Sequence, residues 1–182
     1  MIAKAPLVVA GLDVALEAFR QLDPSATFTI HKSDSDSCVP GDAIVQMEGL
    51  AAGMLTAERT ALNLLQRLCG IATLTRQFVE AAAGRILVLD TRKTTPTLRA
   101  LEKYAVRAGG GTNHRMGLDD GILIKENHVR LAGGIGPALE SMREASPDMP
   151  IEIEVQSFEQ LDQALAAGAT RILADNFSLE DL

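Results

Sequence analysis

Hydrophobic and polar positions divide the chain into two textures. From Gly11 to Leu22, Leu12, Leu16, Phe19 and Arg20 fall at helical spacing, which predicts an amphipathic helix ended by Asp23-Pro24. Thr27 to Ile30 has strand composition, Ser33 to Ser37 reads as a polar loop, and Ala43 to Met47 reads as a strand after the Pro40-Gly41-Asp42 turn. One helix with two or three short strands lacks a complete sheet, so this segment reads as part of a small α+β domain whose beginning is absent. From Leu55, apolar residues at Ala61, Leu62, Leu64, Leu65 and Leu68, continued by Leu74, Phe78 and Val79, predict one long helix or a broken pair from Thr56 to Ala83. Thr56 is the expected cap.

After Gly84 the pattern alternates. Strands are expected at Ile86–Thr91, Gly121–Glu126, Ile151–Val155 and Arg171–Asn176, with helices at Leu98–Ala108, Ile135–Ala145 and Phe158–Ala167. Four β/α units in series imply parallel strands with right-handed crossovers. Each strand ends in polar residues: Thr91-Arg92-Lys93, Lys125-Glu126-Asn127, Glu154, and Asp175-Asn176. In β/α barrels that edge carries the active site. In Ile151-Glu152-Ile153-Glu154-Val155 the aliphatic residues should face helices and the two carboxylates the opposite side. Carboxylates there need cationic partners, with Lys125, Lys93 and Arg92 the candidates. A whole barrel takes roughly 200 to 250 residues, so the chain is expected to supply about half of one.

Charge sharpens the picture. The 182-residue chain has net charge −7, 47% hydrophobic and 3% aromatic residues. An acidic balance with few rings argues against nucleic acid. No apolar run reaches the roughly 18 residues of a membrane span, and no signal-peptide pattern opens the chain, so a cytoplasmic protein is the expectation. Cys38 and Cys69 lack metal-ligand spacing and read as reduced thiols. Within this acidic chain, Asp90 to His128 holds seven Lys or Arg against five acids. A local cationic excess, rich in Gly, Thr and His, suggests a focused site for a small anion. Some readings stay open at this level. Arg59 sits on the first turns of its helix, where the dipole disfavours a cation, and is either solvated or an anion ligand. Lys125 at a strand end also fits a Schiff-base lysine, and His128, with no second ligand at metal spacing, reads as structural.

Several segments carry a resemblance. Ala57 to Thr73 (A-E-R-T-A-L-N-L-L-Q-R-L-C-G-I-A-T), Asp90 to Pro96 (D-T-R-K-T-T-P), Leu101 to Leu118 (L-E-K-Y-A-V-R-A-G-G-G-T-N-H-R-M-G-L), Leu123 to His128 (L-I-K-E-N-H), Ile153-Glu154-Val155 and Ala174 to Phe177 (A-D-N-F) resemble the nicotinate-nucleotide pyrophosphorylase family, the decarboxylating quinolinate phosphoribosyltransferases of NAD biosynthesis. The match is dense from about Ala51 to Phe177. It implies a type II phosphoribosyltransferase fold of class α/β. Residues 1–53 would be the remnant of an N-terminal sandwich domain, and 54–182 a linking helix and the first part of a β/α barrel, truncated at both ends. The implied reaction joins quinolinate to phosphoribosyl pyrophosphate with Mg²⁺, in a homodimer.

Carried onto matching positions, the resemblance implies that Arg92, His114, Arg115 and Lys125 surround the quinolinate carboxylates, with Arg59 donated by a partner subunit. Lys93 and Lys125 would meet the phosphates, and Glu154 and Asp175 the ribose hydroxyls and the metal. Lys93, Lys125, Glu154 and Asp175 are the implied catalytic set, and Glu126 and Asn127 would support them. Two positions depart from the family's pattern: Thr97 stands where glycine is usual, and Ala174 where a larger aliphatic residue is usual. The family's last loops, which cradle the 5′-phosphate, have no counterpart in this sequence. A catalytically incomplete form, and a molybdenum-transport-associated paralogue of the same fold, are the alternatives.

Overall fold

The computed structural model describes Met1–Leu182, which divides into two compact units, Met1–Met116 and Gly117–Leu182. In the first unit, β1 (Leu7–Val8) pairs antiparallel with β3 (Ser37–Cys38), and β2 (Thr27–Ile30) pairs antiparallel with β4 (Val45–Glu48). Helix α1 (Leu12–Arg20) buries Leu12, Ala15, Leu16 and Phe19, a stripe at i, i+3, i+4 and i+7. That stripe is shared between two partners. Leu12 and Leu16 pack with Val9, Cys38, Ile44 and Val45, while Ala15 and Phe19 meet Ala57, Ala61, Leu65 and Cys69 of α2 (Ala51–Ala82).

Helix α2 is continuous and starts earlier than the pattern suggests. Thr56 does not cap it; its hydroxyl donates to the Ala52 carbonyl at 2.8 Å from inside the helix. Its entry is fixed by Asp23, which accepts from the Leu50 N–H at 2.7 Å and from Ser25. The buried face also turns away from the expected one beyond Cys69: Leu74 and Phe78 are exposed, while Leu68 and Ala72 pack on Ala105 and Ala108 of α3 (Arg99–Ala108). Close approach there depends on Gly109, where a Cβ would lie 2.5 Å from the Ala72 carbonyl oxygen.

The first of the four expected β/α units is corrected. Ile86–Thr91 forms no strand, only an isolated parallel bridge between Leu89 and Thr112. Ile86 and Leu87 are 70% and 76% exposed, so an apolar run with strand composition has no neighbouring ladder to complete it within its unit.

The second unit holds the remaining alternation: β5 (Ile122–Ile124), α4 (Glu126–Ala132), α5 (Ile135–Ala145), β6 (Ile151–Val155), α6 (Phe158–Ala166) and β7 (Ile172–Ala174). The three strands form one parallel sheet in the order β5-β6-β7, with Ile124 beside Ile153 and Glu154 beside Leu173. Ile124, Ile153 and Val155 are buried against Ile135, Ala138 and Leu139 of α5 and Ala164 of α6. Helix α4 follows directly on Lys125 and is absent from the pattern because its seven residues bury no side chain.

Candidate functional site

In the first unit the candidate cations flank one buried polar node. The Leu89–Thr112 bridge sets residues 88–90 beside 112, with Thr112 N–H donating to Val88 O at 2.8 Å and Asp90 N–H to Thr112 O at 3.2 Å. Beyond the bridge, Asp90 collects three donors: the Lys103 ammonium, the Asn113 side-chain amide, and the His114 backbone N–H at 2.9 Å. Lys103 also donates to the His114 carbonyl at 3.0 Å. The side chains of Lys103 and Asp90 are 1% and 6% exposed. A buried pair survives desolvation only when its remaining hydrogen-bonding capacity is filled, as here.

Arg92 and Lys93 follow this node on one segment, His114 and Arg115 on the other. The first segment is wound into turns, with Thr94 N–H donating to Arg92 O at 3.0 Å and Leu98 N–H to Thr95 O at 3.1 Å. Helix α3 grips it twice. Glu102 accepts from Thr95 N–H at 3.2 Å and from Arg67 of α2, and Arg99 donates to Thr94 Oγ1 at 3.3 Å and Met116 O at 3.2 Å. Burial works to raise the Glu102 pKa, but hydrogen bonds from Arg67 and Thr95 outweigh it and hold the carboxyl below its ordinary value. Thr97 has φ 69°, left-handed backbone that a β-branched residue adopts only under strain. Glycine would adopt that backbone without the steric strain. Arg92 Nε is buried with no hydrogen-bond partner, Lys93 is exposed, and His114 and Arg115 are half-buried.

Arg59 lies on the exposed side of α2. A cavity of about 630 Å³ in this unit, lined by residues such as Ile2, Leu7, Met47, Met54 and Leu65, is mostly apolar and takes in none of the candidate residues.

In the second unit the alternation of β6 is realised as expected. Ile151, Ile153 and Val155 face the helices, and Glu152 and Glu154 occupy the opposite face. Lys125 lies across from Glu154 with Nζ 3.7 Å from Oε1. Arg171, which the strand pattern leaves unmarked, lies 3.8 Å from Glu152. Asp175 continues the β7 ladder, donating its N–H to Val155 O at 2.9 Å, and its carboxylate accepts from Gln156 and Asn176 at 3.2 Å each. Two residues beyond Leu173, which pairs with Glu154, Asp175 shares Glu154's face of the sheet. The backbone N–H of Lys125 donates to His128 Nδ1 at 3.0 Å, so the His128 ring closes the first turn of α4 and orients the lysine's backbone.

Sequence reasoning marked the flanking cations and missed what holds them: Lys103, Asp90, Arg67, Glu102 and Arg99. The sequence counts Lys103 with the cations of the expected anion site, whereas the bridge between distant segments puts the Asp90 carboxylate beside it and pairs it instead.

The model of the quinolinate phosphoribosyl transferase N-terminal domain matches residues 1–69, and that of the C-terminal domain residues 71–182. The chain is 48% identical over 178 residues to a probable nicotinate-nucleotide pyrophosphorylase [carboxylating] of Bacillus subtilis, covering 97% of this chain and 62% of that protein. It is 46% identical to the nicotinate-nucleotide pyrophosphorylase [carboxylating] of Mycobacterium leprae, covering 97% of this chain and 63% of that one. Among solved structures, the nicotinate-nucleotide pyrophosphorylase of Francisella tularensis superposes with a TM-score of 0.95 at 42% identity, over 99% of this chain and 65% of that one. The chain thus spans less than two thirds of the length of these relatives.

Proposed function

We propose, because this chain belongs to the quinolinate phosphoribosyl transferase family, that it joins quinolinate to 5-phosphoribosyl 1-pyrophosphate, giving nicotinate mononucleotide, pyrophosphate and CO₂. The three parallel strands are then part of a β/α barrel of the type II phosphoribosyltransferase kind. The observation that carries the reading is Arg92, whose buried Nε has no acceptor, followed by the exposed ammonium of Lys93. An unsatisfied buried donor costs about 1–3 kcal/mol, and a dianionic ligand removes that cost. Planar guanidinium groups suit carboxylates, so Arg92 and Arg115, with His114 and Lys125, bind the two carboxylates of quinolinate.

Cleavage at the anomeric carbon puts negative charge on pyrophosphate, which Lys93 and Lys125 receive. Positive charge developing on the ribose is opposed by Glu154 and Asp175, which also bind its hydroxyls. Loss of CO₂ leaves the bond's electron pair on the ring carbon beside the pyridinium nitrogen, so the substrate supplies its own sink until that carbon takes up a proton from water, and the arginines hold the departing carboxylate without over-stabilising the ground state. The chain contains no group of three or more His, Cys, Asp or Glu that could cage a metal. Two carboxylates on one sheet face fit Mg²⁺, which keeps its waters and leans on substrate phosphates; bound there, it would neutralise the pyrophosphate leaving group.

Arg59, exposed on α2, completes the site of a second copy in a homodimer. No helix is long and apolar enough to cross a membrane, and the cytoplasm is the proposed compartment. Calorimetric titration tests the ligand: quinolinate should bind at least about tenfold more tightly than nicotinate, which lacks one carboxylate, since a charged hydrogen bond is worth about 1.5–3 kcal/mol. Equal binding of the two would contradict the reading.

A further inference from the structure

Lys103 is the most deeply buried charged residue in the chain, and neither it nor its partner Asp90 is among the residues proposed above to touch a ligand. Stability alone does not account for it. A buried ion pair is commonly replaced by apolar residues of similar volume with no loss of stability, and α3 already packs through Ala105 and Ala108. What the pair does uniquely is geometric. Lys103 projects from a helix whose position is set by α2, and its ammonium meets two acceptors from two segments that are distant in sequence: Asp90 and the His114 carbonyl. Asp90 in turn takes the His114 N–H and the Asn113 amide, and that same amide donates to the Lys103 carbonyl at 2.9 Å. The backbone of His114 is therefore held from both sides, N–H by the carboxylate and C=O by the ammonium. Arg92 begins two residues after Asp90.

We propose that Lys103 and Asp90 are positioning residues that lock the segment carrying Arg92 and Lys93 to the segment carrying His114 and Arg115, so that the four present one preformed surface to a dicarboxylate. The proposal rests on the ligand reading given above and adds to it the reason these residues stay side by side. Like charges repel, and flexible loops would splay them. A node of five hydrogen bonds anchored on a helix prevents that at no cost in ligand-facing charge, because its own two charges cancel.

The test uses Lys103→Met and the double variant Asp90→Asn with Lys103→Met in the same 182-residue chain. The single variant strands a buried carboxylate and lowers Tm; the double variant removes both charges at nearly constant volume and recovers most of it. Two readouts separate positioning from stability. In the double variant, amide hydrogens of residues 91–94 and 112–115 should exchange about tenfold faster while α2 keeps its protection, and quinolinate should bind about tenfold more weakly by calorimetry. Native exchange in those segments, or quinolinate affinity that returns together with Tm, overturns the proposal. If the native chain does not bind quinolinate, or Arg92→Ala binds it as well as the native chain, the ligand reading fails instead, and the exchange result still decides whether the pair orders the two segments.

Discussion

Lys125 and Glu154 face each other across the ends of two adjacent parallel strands, Nζ 3.7 Å from Oε1. Lys125 is 47% exposed, so the pair contributes little to stability, on the order of 0–1 kcal/mol. Its value lies in placement, a cation and an anion side by side where phosphate and ribose are proposed to bind. Glu154→Gln should therefore leave Tm nearly unchanged while lowering nicotinate mononucleotide formation about 100-fold, in line with losing one positioned electrostatic group. A variant that loses Tm and activity together would assign Glu154 a structural role.

Tyr104 offers a clean spectroscopic reading of the first unit, because it is the chain's single tyrosine and there is no tryptophan. Its hydroxyl donates to Asp34, which also accepts from the Gly11 and Leu12 N–H groups at the start of α1. That hydrogen bond, with burial and the nearby carboxylates, pushes the phenol up to about 12. A raised phenol pKa stabilises the fold below its ordinary value of 10 and is lost as pH rises toward 12. Phenolate absorbance should accordingly titrate near 12 in the native chain and fall back toward 10 in Asp34→Asn. A native midpoint at 10 would mean the Tyr104–Asp34 bond does not form in solution.

Glu102 gives an acid-side counterpart. Burial favours its neutral form, yet Arg67 and Thr95 hold the folded-state pKa below the ordinary 4.5, so its contribution is present above that value and disappears as pH falls through the folded pKa. Glu102→Gln should destabilise the chain at neutral pH by about 1 kcal/mol, discounted because Arg67 is partly solvated. Chemical denaturation at a series of pH values checks the sign: the gap between native and variant should close as pH falls through the folded-state pKa, which lies below the ordinary 4.5, and a gap that widened on acidification would be inconsistent with the shift.

Thr97, at φ 69°, carries strain of about 1–2 kcal/mol for a left-handed non-glycine residue. Glycine returns part of that through its larger unfolded-state entropy, about 0.4–1 kcal/mol. Thr97→Gly should raise Tm by about 2 °C. A fall in Tm would show that the turn is held in another conformation.

Helices α5 and strand β6 were legible residue for residue, because their apolar periodicity coincides with the faces they bury. Lys125, Glu154 and Asp175 fall at strand ends as the pattern expects, whereas Arg92 and Lys93 do not, because no strand forms before them. Residues 86–91 were misread because six apolar-rich residues look the same whether or not a ladder partner exists, and here only Leu89 finds one. Lys103, Arg67 and Glu102 escaped for a different reason: a charge is buried or solvated according to what a distant segment brings to it, and Asp90 and Thr95 are brought by the chain's return, not by local pattern.

The most direct measurement is release of labelled CO₂ from carboxyl-labelled quinolinate on addition of phosphoribosyl pyrophosphate and Mg²⁺. Release should require all three components, match nicotinate mononucleotide formed mole for mole, and fall sharply in Arg92→Ala. A folded chain that binds quinolinate yet releases no CO₂ above background would contradict the proposed reaction.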